Sequence, residues 1–181
     1  MPQLDVGVVI RDRLLTTVQD RVVPLPEPGR LVHVQFRRYA GCPICNLHLR
    51  DVARRHDEIT DAGVTEVVVF HSSRDALLDY QADQLPFSFV PDPDKDLYAE
   101  FGVTSSPRAL LDPRAWLAFG RSVAESRSLR GSAGGGEQHL GLPADFLVDP
   151  AGAVLARKYG AHAGDQWSVE EILSLARAHH L

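Results

Sequence analysis

Cys42-Pro43-Ile44-Cys45 stands between two segments of different hydrophobic period, and both cysteines of the chain are in it. Before it, Leu31-Val32-His33-Val34-Gln35-Phe36 is rich in β-formers and weakly alternating, which predicts a buried central strand. After it, Ile44, Leu47, Val52 and Ile59 recur at roughly helical spacing. Arg50, Asp51, Arg54, Arg55, Asp57 and Glu58 supply the wet face, so a helix is predicted from Pro43 to about Ala62. Pro43 suits the first helical position, where an N–H has no intrahelical partner. A strand that runs through C-x-x-C into a helix leaves a sulfur at a helix N-terminus. Unpaired N–H groups and partial positive charge favour the thiolate there, and the thiolate is the reactive form.

The remaining segments read as an alternation of strands and helices. Val6–Ile10, Leu14–Val18 and Val22-Val23, broken by turn residues, predict one or two short strands as an N-terminal extension. Gly63 stops the first helix, and Val64–Phe70 is a second buried strand. Ser72-Ser73 caps a helix over 75–84 that packs Leu77, Leu78 and Leu85. Phe87–Val90 is a short strand, and Lys95–Phe101 a short helix ended by Gly102. Residues 104–141 form an insert whose second half is polar and glycine-rich, the composition of a lid, an interface or a disordered segment. Asp145–Val148, the turn Asp149–Gly152 and Ala153–Tyr159 read as a hairpin. Ser168, with Glu171 three residues on, opens a final helix over Val169–His179 through a capping box.

Size and charge narrow the function. The 181 residues are 44% hydrophobic and 24% charged, which suits one domain spanning 1–181 whose core needs no disulfide staples. A net charge of −5 argues against a nucleic-acid partner. The start, Met1 to Ile10, has no basic stretch followed by a long apolar run, so neither a signal peptide nor a membrane partner is expected and the location is read as cytoplasmic. In a reducing compartment a lone close pair of cysteines is catalytic or sensing, because so short a loop adds little as a structural bridge.

At Phe36–Leu49, FRRYAGCPICNLHL, the chain resembles the peroxiredoxin-like branch of the thioredoxin superfamily, the AhpC/TSA-related proteins. Phe87–Val103 and Gly141–Val154 are similar to two further elements of that family, an Asp-Pro turn before a short helix and a Pro-strand-turn-strand unit. The resemblance implies an α/β fold, a thioredoxin-like three-layer sandwich. Its mixed central sheet carries helices on both faces, with the N-terminal strand extension and the 104–141 insert added. It also implies that Pro143 is a cis-proline facing the cysteine pair. The family pattern places Thr or Ser three residues before its peroxide-reactive cysteine and Pro seven before it. With Cys45 set on that position, Cys42 and Arg38 stand there instead. The family's later arginine has no clear counterpart; Arg121, Arg127 and Arg130 are candidates.

Two assignments of the attacking sulfur are open. By thioredoxin logic Cys42 attacks from the exposed helix cap and Cys45 resolves; by peroxiredoxin logic the roles reverse. Accessibility favours Cys42. Alternation lets at most one of Arg37 and Arg38 add positive potential. Tyr39 either offers a hydroxyl near substrate or covers the core edge. His48 either packs or, as an imidazolium, favours the Cys45 thiolate. Trp116 is core or lid, His71 a weak candidate acid or base, and His179-His180 without role. The expected activity is reduction of peroxides or disulfides by the Cys42–Cys45 dithiol, with no cofactor. A thioredoxin or a low-molecular-weight thiol serves as reductant, and the resemblance makes a homodimer plausible. Two rival readings are a redox-sensing or binding module working through the insert, and a metal site at Cys42, Cys45 and His48.

Overall fold

The sheet grows outward from β3 (Leu31–Arg37), which is buried along its whole length. The computed structural model describes residues 2–80, 85–103 and 141–179. Trp116, Arg121, Arg127, Arg130, His180, the end of the helix predicted over 75–84 and nearly all of the insert lie outside them. β4 (Val64–Phe70) pairs parallel to β3, and β6 (Ala144–Val148) pairs antiparallel on its other side. β5 (Ser88–Pro91) and β7 (Val154–Tyr159) complete the order β5-β4-β3-β6-β7 among the described residues. This is the mixed sheet expected from the sequence. The parallel β3–β4 pair needs a crossover. Helices α1 (Pro43–Arg54) and α2 (His56–Asp61) supply it.

Two cores flank the sheet. Val32, Val34 and Phe36 face one way, with Val67, Val69 and Phe146 from the neighbouring strands. Tyr98 of α4 (Asp96–Glu100), Phe101, and the hairpin of β1 (Arg13–Thr16) and β2 (Val22–Leu25) close that side. Leu31, Val68, Phe70 and Leu147 face the other way, against Leu49 and Val52 of α1, Ile59 of α2, Leu77 of α3 (Arg74–Tyr80), and Ile172 and Leu173 of α5 (Val169–Ala178). Each such fully buried aliphatic or aromatic side chain stabilises the fold by roughly 1.5–3 kcal/mol. Ser168 and Glu171 form the capping box expected at the start of α5. Among the described residues no helix is long and apolar enough to cross a membrane.

The continuous helix expected over 43–62 is instead two. At Arg55 the backbone leaves helical geometry (φ −118°, ψ 22°), and its N–H bonds back to Val52 O at 3.2 Å. The second helix start at His56 leaves Ile59 buried in the core, and the Arg55 guanidinium at the junction pairs on the surface with Glu58 and with Glu170 of α5. Gly63 does stop the second helix, with φ +78°. The N-terminal stretch lies beside the β6–β7 hairpin. Gly7 N–H donates to Val154 O (2.8 Å), Ile10 N–H to Gly152 O (2.9 Å), and Leu4 N–H to the Tyr159 hydroxyl (2.8 Å).

Polar residues interrupt the second core. His33, Gln35 and Arg37 alternate along β3 on the face away from Val32, Val34 and Phe36, and all three are fully buried. His33 donates from Nδ1 to Glu66 (2.8 Å) and from Nε2 to Asp145 (3.1 Å). Arg37 donates to Asp145 (2.8 Å) and to the Gln35 side-chain oxygen (2.5 Å), and Gln35 in turn donates to Glu66. Two cationic and two acidic groups therefore meet inside the sheet–helix layer, each with partners, as buried charge requires. Burial alone pulls the His33 pKa down, but Glu66 and Asp145 outweigh it and raise it from 6.5 to about 9. This stabilisation is fully present below the unfolded value and is lost as pH rises through the folded one. In a Cys42→Ser/Cys45→Ser background, which removes thiol titration, unfolding free energy should fall by on the order of 3 kcal/mol between pH 6.5 and just above 9. Urea unfolding across that range checks it, and a flat profile overturns it.

Candidate active site

The site sits where β3 hands over to α1. Ser72, just past β4, accepts the Ala40 N–H (2.9 Å), and Cys42 N–H donates to Tyr39 O (3.0 Å), so residues 38–42 make a tight turn. Cys42 is the N-cap of α1 with extended geometry (φ −66°, ψ 112°), and Pro43 follows inside the helix start. Cys45 lies one turn on, and its Sγ–H donates to Cys42 Sγ across 2.9 Å. The two sulfurs are close but not bonded to each other. A disulfide bond is about 2.05 Å long, so closing the pair requires a shift of only about 1 Å.

Charge converges on one sulfur. Arg38 Nη1 approaches Cys42 Sγ at 3.8 Å, and its guanidinium lies over the Tyr39 ring. Arg37 turns away into the buried network, so a single arginine faces the cysteines, as alternation predicts. Burial pushes the Cys42 thiol up. The hydrogen bond from Cys45, the Arg38 charge and the first-turn N–H groups of Cys45 and Ile44 more than offset this, bringing it to about 7. None of those N–H groups closes a full cap hydrogen bond. Cys45 moves the opposite way, driven up by burial and by the Cys42 anion. The arrangement is an asymmetric pair: one sulfur readily ionised, the other a held thiol that donates to it.

Several expectations need correction. Cys42 and Cys45 are both 0% exposed, so Cys42 is not the exposed member of the pair. They pack in one cluster with Tyr39, Ile44 and Ala163. Covering from the 160–167 segment, far off in sequence, causes this. Pro143 is not cis: among the described residues the one cis bond is Leu25–Pro26. The carbonyl of Pro143 instead accepts the Gly160 N–H at 2.9 Å, extending the β6–β7 pairing, and a trans bond opens the strand. His48 is not an imidazolium. Burial first, then the Arg37 charge, lower its pKa to about 3, and its Nε2–H donates to Trp167 O at 2.8 Å. Among the described residues no group of three His, Cys, Asp or Glu is placed to hold a metal ion.

The structure also adds neighbours to the site, of which the sequence singles out only His71. Tyr98 donates its hydroxyl to Arg37 O and lies 3.0 Å from Val69 O, beneath the turn. His71, beside the site, packs edge-on against Tyr98. Ala163, Trp167 and Asp145 join the site through the 160–167 segment. The His33/Gln35/Arg37 alternation could have revealed the Asp145 network; nothing local in the sequence marks Ala163.

The model of the AhpC/TSA family matches residues 17–157. No curated protein matches the sequence. Among solved structures, peroxidoxin BcpB from Mycobacterium tuberculosis superposes with a TM-score of 0.70 at 14% identity, over 99% of this chain and 100% of that one. AhpC from the same organism gives 0.69 at 18% identity, over 98% and 93%. A putative thiol:disulfide interchange protein DsbE from Chlorobium tepidum gives 0.60 at 19%, over 96% and 99%. At these identities the likeness is one of fold.

Proposed function

The chain belongs to the AhpC/TSA family as a peroxiredoxin-like oxidoreductase, and on that premise we propose that it reduces hydroperoxides with Cys42 as nucleophile and Cys45 as resolving thiol. The observation that carries the reading is the convergence of the Cys45 thiol and the Arg38 guanidinium on Cys42 Sγ. The Cys42 thiolate attacks the distal peroxide oxygen, the O–O bond breaks, and the leaving alkoxide takes a proton and departs as an alcohol. Cys42 is left as a sulfenic acid. Cys45 then attacks that sulfur, water leaves, and the disulfide closes. Two external thiol groups, from one thioredoxin or from two molecules of a low-molecular-weight thiol, restore the dithiol and leave as a disulfide. Arg38 holds the thiolate and lies near the bond that breaks. Tyr39 and Pro43 shape the turn, while Pro143 and His48 support the site from behind.

Burial of both sulfurs favours a small peroxide over a bulky protein disulfide. A second reading, thiol–disulfide exchange, draws on the C-x-x-C pair at a helix start. Steady-state assays with hydrogen peroxide, an organic hydroperoxide and a model disulfide, each with dithiothreitol and with thioredoxin, decide between them. Turnover with none of these oxidants would sink both. Cytoplasmic location and assembly as a homodimer belong to the same proposal; a reduced, catalytic pair suits a reducing compartment.

The Cys42 ionisation makes a pH prediction. The rate constant for peroxide should rise about tenfold per unit at low pH and level off above about 7. Stopped-flow oxidation between about pH 5 and 9 measures it. A midpoint near 8.5, the value of a free thiol, contradicts the assignment of the activated sulfur.

A further inference from the structure

Residues 160–167 form a strap that sets Ala163 against the cysteine pair, and both of its ends are fixed. At Gly160 the N–H donates to Pro143 O, and the fit is so close that a Cβ there would lie 2.7 Å from Asp165 O and 2.8 Å from Pro143 Cγ. At Trp167 both sides of the backbone are held: its N–H donates to Asp145 Oδ2 (3.2 Å), and its carbonyl accepts the His48 Nε2–H (2.8 Å). Between them Asp165 Oδ2 accepts the Ala161 N–H (2.9 Å), and Lys158 Nζ reaches Gln166 O (3.1 Å) and Asp165 Oδ1 (3.0 Å). The middle of the strap, Ala163, is fully buried in the cluster of Tyr39, Cys42, Ile44 and Cys45.

We propose that this strap is the size filter of the site, with Ala163 as the specificity-determining side chain and His48 and Asp145 as positioning residues that latch it through Trp167. Closed, it passes small oxidants to Cys42 and excludes bulky hydroperoxides and protein disulfides. The proposal deepens the peroxide-reductase reading, which supplies the reaction, but the filter itself concerns access to the sulfurs and is measured without turnover.

The latch is specific in what it needs. His48 is neutral and contributes one N–H, so glutamine, which also carries an N–H donor, can replace it, whereas leucine cannot. His48 lies on the same helix as Cys45, three residues on. Movement of the helix start during the thiol–disulfide change therefore reaches the strap through one hydrogen bond.

The test is alkylation of the reduced protein by a small reagent, iodoacetamide, and by a bulky one, a maleimide joined to a large dye, at fixed pH. The readout is the ratio of the bulky to the small rate constant. His48→Leu should raise that ratio about fivefold, the population change expected from one lost hydrogen bond, and His48→Gln should restore most of it. Lys158→Met, a change on the half-exposed outer strand, should raise the ratio in the same direction and serves if the leucine variant folds poorly. An unchanged ratio in folded His48→Leu or Lys158→Met overturns the proposal. So does an equal rise in His48→Leu and His48→Gln. A shifted ratio in a protein with no peroxide turnover would refute the reaction while leaving the strap; normal turnover with a fixed ratio would do the reverse.

Discussion

Cys42→Ser should lower peroxide turnover by on the order of a thousandfold or more, because a serine hydroxyl at this position has no base to ionise it and a far weaker nucleophile remains. Cys45→Ser should behave differently. The Cys42 thiolate exchanges the S–H donor that contributes to its low pKa for a serine O–H, and it keeps Arg38 and the first-turn N–H groups. One equivalent of peroxide should still be consumed, at a rate reduced about tenfold or less at neutral pH. Turnover should then stall, since no thiol within reach closes the disulfide. Mass spectrometry after a single pulse of peroxide should find a sulfenic acid, trapped by dimedone, on Cys42 of the Cys45→Ser protein. Dimedone labelling of Cys45 in the Cys42→Ser protein at comparable speed would reverse the assignment of roles. Two inert variants with no trapped oxygen would remove the peroxide chemistry altogether.

Asp145→Ala carries the largest expected cost to stability. Asp145 accepts hydrogen bonds from His33, Arg37 and the Trp167 backbone and is itself fully buried. Burial would push its carboxyl up; Arg37 first, then His33, more than cancel this and hold it well below the usual range. Removing the carboxylate leaves the buried Arg37 guanidinium with Gln35 but without its anionic partner, and His33 with Glu66 alone, a loss of about 3–5 kcal/mol. Total domain stability is typically about 5–15 kcal/mol, so the variant should sit close to unfolding at room temperature. Asp145→Asn keeps the shape and some of the acceptors and should fold better while remaining clearly weakened. Urea midpoints measure both. In a double-mutant cycle with His33→Leu, the two losses should be strongly non-additive. A cost below about 1 kcal/mol for Asp145→Ala would mean that water or side-chain rearrangement takes over the role of the carboxylate.

Much of the architecture was legible from local pattern. The apolar run Val64–Phe70, the turn and strand pair around Asp149–Gly152, and the capping box at Ser168 are each decided by a few neighbouring residues, and each is found where expected. The alternation of Arg37 and Arg38 limited the cysteines to one guanidinium, and the structure shows it to be Arg38. The misses all depend on residues far apart in sequence. The helix break at Arg55 sits where the chain meets Glu170 of another helix. The burial of Cys42 answers to Ala163. The neutrality of His48 answers first to burial and then to Arg37, against the opposing pull of Asp145 and the Trp167 carbonyl. Pro143 was read through a resemblance, and the Gly160 N–H that its carbonyl meets belongs to a different strand end. A period reports which face a residue takes, but not what comes to cover that face.

The N-terminal stretch has a consequence for assembly. β7 is an outer strand, and its first residue already exchanges backbone hydrogen bonds with Gly7 and Val8, while Tyr159 near its end accepts from Leu4. An outer strand is a template on which another chain can add itself. Here the protein's own leading residues stand in that place, so two copies joining through this side would first have to peel them away, and a tag fused ahead of Pro2 would bear on the same seam.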